Sequence, residues 1–216
     1  MMVILGGMGN FAGAIIGAPA ADRDVTLAAP VTVGSLSIDT AATAFRNRLT
    51  GSAALGFAAA LSNNALLEVT GSSSGYAELD LTAPVTLAST LRLNVLNTAG
   101  SAEDGALRLR SQWTGAGGLI KQGPGTASLT GAGKDFSGPV TIEQGVLQCT
   151  QPAVPALASG VTVQTGAQLR LVSGNDVNGP RVHSFGGGIT LAGTLAGVAG
   201  YLWAAQTGFV NPELMG

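Results

Sequence analysis

Charge, lysine and cysteine are all scarce in this 216-residue chain. Charged residues make up 10% of it, whereas soluble globular proteins carry about a quarter. A solvated helical bundle needs Lys and Glu over its outer faces, so that class is excluded. Disorder is excluded as well, because 46% of the residues are apolar and the net charge is only -2. Lys121 and Lys134 are the only lysines, and no basic run or stripe exists, which argues against nucleic acid as a partner. Cys149 is the only cysteine, so an internal disulfide and a Cys-based metal site are impossible within one chain. It lies in the strand-like run Gly145–Thr150 and reads as a small buried hydrophobe. Its isolation is compatible with export through an oxidising compartment. His183, the single histidine, cannot build a metal site with other histidines.

What is abundant is glycine, at 33 positions, among short alternating runs of Val, Leu and Thr. Ala29-Pro30-Val31-Thr32-Val33 recurs as Ala83-Pro84-Val85-Thr86-Leu87 and more loosely as Gly138-Pro139-Val140-Thr141-Ile142. The prolines stand 54 and 55 residues apart (30 to 84 to 139), and Val161-Thr162-Val163 is a fourth strand of the same kind. Apolar alternation resumes after each copy, at Leu36–Ile38, Leu91–Leu93, Val146–Gln148 and Leu169–Leu171. Further strands are expected at Leu66–Thr70, Ala77–Leu81, Ala106–Arg110 and Thr126–Thr130, separated by Gly, Ser, Asn and Asp clusters. Period-2 strands punctuated by glycine, inside a long repeat, predict an all-β solenoid. Each repeat would contain two or more coils of roughly 20 to 30 residues. The region 23–197 would then hold about seven coils and extend about 35 Å at ~4.8 Å per coil.

The most specific stretch runs from Gly118-Leu119-Ile120-Lys121-Gln122-Gly123-Pro124-Gly125-Thr126 through Leu129-Thr130-Gly131 and Phe136-Ser137-Gly138 to Val140-Thr141-Ile142-Glu143-Gln144-Gly145-Val146-Leu147. It resembles the autotransporter-associated β-strand repeat of bacterial passenger domains, with Phe136 where that family usually has Tyr. The resemblance implies a right-handed parallel β-helix, in an extracellular or cell-surface protein associated with the outer membrane. It also implies a structural or adhesive function, with host or surface glycans or proteins as the partners.

The ends differ from the middle. Residues 1–22 and 198–216 form apolar, small-residue segments in which helical character is allowed. Met2-Val3-Ile4-Leu5-Gly6-Gly7-Met8-Gly9 and the stretch Ala199–Leu214 resemble segments of branched-chain amino acid ABC transporter permeases, but in reversed order. That resemblance implies a chimeric or rearranged coding sequence, with membrane contact only through these ends. Residues 1–21 also have the look of a secretion signal, with Ala18-Pro19-Ala20 as a small-residue cleavage site but no preceding Lys or Arg. The last residues lack serial amphipathic strands, so a translocator barrel is not expected within this chain.

Catalytic and cofactor patterns occur only in forms that fit turns and loops as well. Gly7–Ala12 formally matches a dinucleotide-binding turn, with Asp22 or Asp24 as ribose ligand, but no βαβ unit follows it. Gly71-Ser72-Ser73-Ser74-Gly75 matches a nucleophile elbow, with His183 as the only base and Asp80, Asp104 or Asp176 as orienters. The following Tyr76–Leu81 reads as a strand where that elbow needs a helix, so a turn is expected. Asp176 lacks the spacing of a calcium loop. Glu103 and Asp104 are adjacent in a Gly-rich loop and read as a solvated turn rather than a sugar-cleaving pair. Tyr76, Trp113 and Phe136 are too scattered to define a sugar-stacking platform. The chain is therefore expected to be a non-catalytic β-helical module, with no catalytic, cofactor-binding or metal-ligating residue assigned and no cofactor. A carbohydrate-binding or polysaccharide-active β-helix and a permease fragment stand as the alternatives.

Overall fold

The computed structural model describes residues 15–16, 22–40, 46–59, 64–72, 74–100, 105–130, 133–150, 160–172 and 189–191. Within them the chain winds as a parallel β-helix, and no helix occurs. The first full coil contains β2 (Arg23–Thr26), β3 (Val31–Val33) and β4 (Ser35–Asp39), preceded by β1 (Ile15–Ile16). The second contains β5 (Arg46–Gly51), β6 (Leu55–Phe57) and β7 (Ala65–Thr70). The third contains β8 (Tyr76–Leu81), β9 (Val85–Leu87) and β10 (Leu91–Val95). The fourth contains β11 (Leu107–Leu109), β12 (Trp113–Gly115) and β13 (Leu119–Gln122). From there the coils have two strands: β14 (Thr126–Leu129) with β15 (Val140–Ile142), β16 (Val146–Thr150) with β17 (Val161–Val163), and β18 (Gln168–Val172) with β19 (Ile189–Leu191).

Like strands of successive coils stack into three sheets. An eight-stranded sheet runs β1-β4-β7-β10-β13-β15-β17-β19, a seven-stranded sheet runs β2-β5-β8-β11-β14-β16-β18, and a four-stranded sheet runs β3-β6-β9-β12. Every pairing is parallel, so each strand finds its partners one coil earlier and one coil later. Eight strands at ~4.8 Å span about 34 Å, close to the length expected from the sequence. Ile15 and Ile16 already pair with Ser37 and Ile38, so the stack reaches back before Arg23. The permease-like and signal-like readings of 1–22 and 198–216 otherwise fall outside the described residues. No helix among the described residues is long and apolar enough to cross a membrane.

The proline repeat holds for two of its three copies. Val31 and Val85 occupy one column of the four-stranded sheet, two coils apart, with Leu55 between them. Val140 does not join that column: it pairs with Leu119 and Val161 in the eight-stranded sheet. The cause is the loss of the third side of the coil after β12. Register steps reach 31 residues between Ile38 and Val69 but shorten to 20 between Leu107 and Ala127. A constant sequence offset therefore lands on a different side of the helix. Beyond β12 the four-stranded sheet goes one coil further without a strand among the described residues, through the bridge Trp113 to Lys134 and the hydrogen bonds from Asp135 N–H to Trp113 O and from Ser137 N–H to Gly115 O.

Alternation along the strands puts apolar side chains inside, where Leu49, Leu79, Leu109, Leu129 and Cys149 stack in one column. Aromatic rings fill the widest part. Phe57 and Trp113 are fully buried and stacked, with centroids 6.2 Å apart and planes 13° from parallel. Such a core holds only if the corners turn tightly enough for backbone to lie on backbone. Gly145 has φ +68°, and a Cβ there would strike the carbonyls of Gly123 and Gly125 in the coil beneath.

Gly166 separates the two demands on a corner glycine, since its φ is +81° but a Cβ there would meet nothing within 4 Å. Gly166→Ala is expected to cost only the left-handed conformation, about 1 kcal/mol. Gly145→Ala should cost that and the clash, lowering the thermal midpoint by roughly 4 to 8 °C for about 2 kcal/mol. Melting both variants beside the parent checks this; equal midpoints for the two would contradict the stacked-corner account.

Candidate functional site

The corner that joins β13 to β14 and β15 to β16 combines the largest number of unusual groups. Leu119, Lys121 and Gly123 share one strand face, and that face points inward. Lys121 is consequently 0% exposed, packed in register between Leu93 and Ile142. Its ammonium does not sit in hydrocarbon. Nζ donates to the backbone oxygens of Gln122 (2.7 Å), Gly123 (2.7 Å) and Gln144 (3.1 Å), one acceptor for each of its three protons. Two of these carbonyls belong to its own corner and the third to the next coil. The lysine thus ties two successive corners together from the inside. Burial pulls its pKa down from 10.5 to about 7.

Lys134 repeats the device on another side of the coil. It too is 0% exposed, and its Nζ donates to Ser111 O (2.9 Å) and Thr130 O (2.7 Å), again linking two coils. Burial lowers its pKa to about 8, opposed by the charge of neighbouring Asp135. Both lysines of the chain are therefore internal. The sequence shows them as the only lysines but gives no role for either. Strand parity is the signal that identifies them, because Lys121 alternates with Leu119 and Lys134 with Phe136, each an inward position.

On the outside of the same corner an open cleft of about 430 Å³ is lined by Asn94, Leu96, Gln122, Gly123, Glu143 and Gln144. Its polar groups are largely engaged with one another. Gln122 donates to Glu143 at 2.6 Å, and Asn94 donates to Glu68 at 2.7 Å. The two carboxylates lie about three strand spacings apart, roughly 14 Å. Glycoside-cleaving pairs stand about 5 to 9.5 Å apart, so Glu68 and Glu143 do not form one. No aromatic ring lines the cleft. Its arrangement can offer amide and carboxylate hydrogen bonds to a ligand, and no Ser, Thr, Cys, Lys or His side chain lines it.

Residues 119–148, which span both strands of this corner, match the model of the passenger-associated-transport-repeat family. The segment is similar to an autotransporter-passenger repeat. No curated protein and no solved structure matches the chain. The matched range includes both internal lysines and the glycines of the clamped corner.

The other residues weighed for chemistry are dispersed. Asp22 accepts the backbone N–H of Arg46 at 2.9 Å, and Asp24 is bound by the Arg48 guanidinium at 2.6 Å. The Gly7–Ala12 turn that either would serve as ribose ligand lies outside the described residues. The hydrogen bond from Arg48 holds the Asp24 carboxyl below its ordinary pKa. Gly71 and Gly75 flank a turn that runs directly into β8, so a nucleophile elbow, which requires a helix there, does not form. Asp80 pairs with Arg48 at 3.4 Å. Glu103, Asp104, Asp176 and His183 lie outside the described residues. Trp113 and Phe136 are buried in the core, and Arg108 covers the Tyr76 ring at 4.2 Å, so the three rings share no open surface. Cys149 is 0% exposed, and burial pushes its thiol up to about 12, far from thiolate chemistry. Among the described residues no group of three or more His, Cys, Asp or Glu is placed to hold a metal ion.

Lys121→Met would keep the stem and leave three buried carbonyls without their donor. A loss of about 2 to 4 kcal/mol is expected, measured by denaturant unfolding. The pH dependence has a definite sign. Unfolded lysine keeps its pKa near 10.5 and folded Lys121 releases its proton near 7, so the unfolded state binds more protons between these values. Stability contributed by this group therefore rises with pH from about 7 to 10.5. The parent should gain on Lys121→Met across that window, and a constant difference between the two would refute the assignment.

Proposed function

We propose that this chain is a non-catalytic, exported β-helical module that extends and presents surface as part of an autotransporter-type passenger. The observation that carries the reading is the coincidence of the passenger repeat at 119–148 with the lysine-clamped corners of a continuous parallel stack. The polar groups found there serve the backbone, and among the described residues the carboxylates, lysines and cysteine weighed for chemistry are buried or paired. A rod about 34 Å long, whose core repeats from coil to coil, suits a spacer. An extracellular or cell-surface location, reached as a fragment of a longer passenger, follows from this reading.

A glycan-binding role is the second reading, favoured by the open cleft with its Asn94, Gln122, Glu143 and Gln144 hydrogen-bonding edge. The absence of any ring along it, with Trp113 and Phe136 committed to the core, weighs toward the spacer.

The test is to place the chain between a secretion signal and an outer-membrane translocator barrel in a bacterial host. Surface display, with added protease cutting only at loops and leaving the coil region intact, is the expected result. Retention in the inner membrane or cytoplasm would overturn the reading. A glycan array probed with the same protein should stay silent; saturable binding abolished by Gln122→Ala with Glu143→Ala would favour the second reading.

A further inference from the structure

Eight of the charged residues form four pairs, each of one sign, spaced two apart on the outer face of consecutive coils. Asp22 and Asp24 precede or begin the first strand of their coil, Arg46 and Arg48 lie on the next, Glu78 and Asp80 on the third, and Arg108 and Arg110 on or just after the fourth. Spacing of two puts both members of a pair on the same face of the sheet. In register, Asp24 faces Arg48, Arg48 faces Glu78, and Glu78 faces Arg108. The column therefore alternates negative, positive, negative, positive.

The ion pairs described in this stripe join adjacent coils and opposite signs, and Arg108 also covers the ring of Tyr76. Arg46 approaches Asp22 at 3.8 Å and Asp24 at 3.6 Å, and Arg48 reaches Asp24 at 2.6 Å and Asp80 at 3.4 Å. Glu78, only 1% exposed, lies 3.9 Å from Arg108 and 3.5 Å from Arg110. After the fourth coil the same column continues as the uncharged Ser128 and Gln148, and a charge returns only at Arg170.

The leucine column does not distinguish one coil from another: Leu49, Leu79 and Leu109 occupy equivalent inward positions, so a coil stacked on the wrong neighbour would bury the same side chains in that column. The outer column does distinguish them. If the first coil skipped the second and stacked on the third, Asp24 would face Glu78 with Asp80 beside it. If the second skipped to the fourth, Arg48 would face Arg108. Each one-coil skip in this half of the molecule replaces attraction by like-charge repulsion, which opposed strand pairs disfavour.

We infer that the alternating charge pairs are a coil-order key: they make each of the first four coils accept its sequence neighbour and reject the coil beyond it. Single exposed ion pairs add little to stability. Here the discrimination comes from the reversal of sign between correct and skipped stacking, which acts on all pairs together. The key ends at the fourth coil, where the lysine clamps begin, and the clamps, reaching from one corner to the next, bind the later coils to their neighbours directly.

Disulfide trapping reads the skipped arrangement. Thr32, Gly56 and Thr86 form one column of the four-stranded sheet, so in the native fold Thr32 and Thr86 lie two strand spacings apart. That distance, about 9.6 Å, is beyond disulfide reach. A skip of the second coil makes them direct neighbours. The full chain carrying Cys149→Ala, Thr32→Cys and Thr86→Cys is refolded from denaturant under mild oxidation, and the intramolecular disulfide is quantified. With the eight charges intact the trapped fraction is expected to be small. Refolding the same protein in 1 M sodium chloride, where the screening length falls to about 3 Å, should raise it at least about threefold, the ratio that one exposed ion pair supplies. Neutralising the stripe (Asp→Asn, Glu→Gln and Arg→Gln at all eight positions) should raise it further at low salt. Trapping that is unchanged by salt overturns the inference even if the neutral variant fails to fold. Trapping equal in the neutral variant and the parent overturns it as well.

Discussion

No coil of this molecule can close its own hydrogen bonds. Each strand donates to and accepts from the coils before and after it, so the backbone is satisfied only by stacking, and the interior is dry only because neighbouring coils cover it. The remaining features serve that dependence. Glycines let corner lie on corner, leucine columns make the interior continuous, and the two internal lysines bind carbonyls that face inward at the turns and have no strand partner there.

The clamped corner also explains why its outer cleft is chemically quiet. The carbonyls of Gln122, Gly123 and Gln144 are drawn inward by Lys121, while the side chains of Gln122 and Gln144 remain outside. Gln122 then holds Glu143, and Asn94 holds Glu68. Polar groups on both sides of the wall are spent on fixing the wall. The same residues in a site built for catalysis would converge on a point; here they are spread along the stack at one per coil.

Strand identity was legible where apolar residues alternate without interruption. Leu91–Val95 and Val161–Val163 stand out for that reason, and Ala65–Thr70, Tyr76–Leu81 and Thr126–Leu129 agree with the expected strands within a residue. Arg46–Gly51 was not legible, since Asn47 occupies one of its inward positions and is buried at 2% exposure, breaking the apolar pattern. Trp113–Gly115 is too short to alternate. The proline repeat misled at its third copy because sequence spacing carries no information on how many sides a coil has. Charge spacing was present but visible only in retrospect: four like-signed pairs acquire meaning once register shows that they alternate. The candidate cleft was not legible at all, being formed by residues from three coils whose alignment depends on loop length.

Burying both lysines has a consequence for the surface of the molecule. With Lys121 and Lys134 enclosed and no other lysine in the sequence, the folded protein displays no side-chain primary amine. The α-amino group apart, acylating reagents, amine-directed crosslinkers and lysine-cleaving proteases find their targets only in chains whose coils have separated. The protein carries its own reporter of unfolding, two residues that become reactive together when the stack opens.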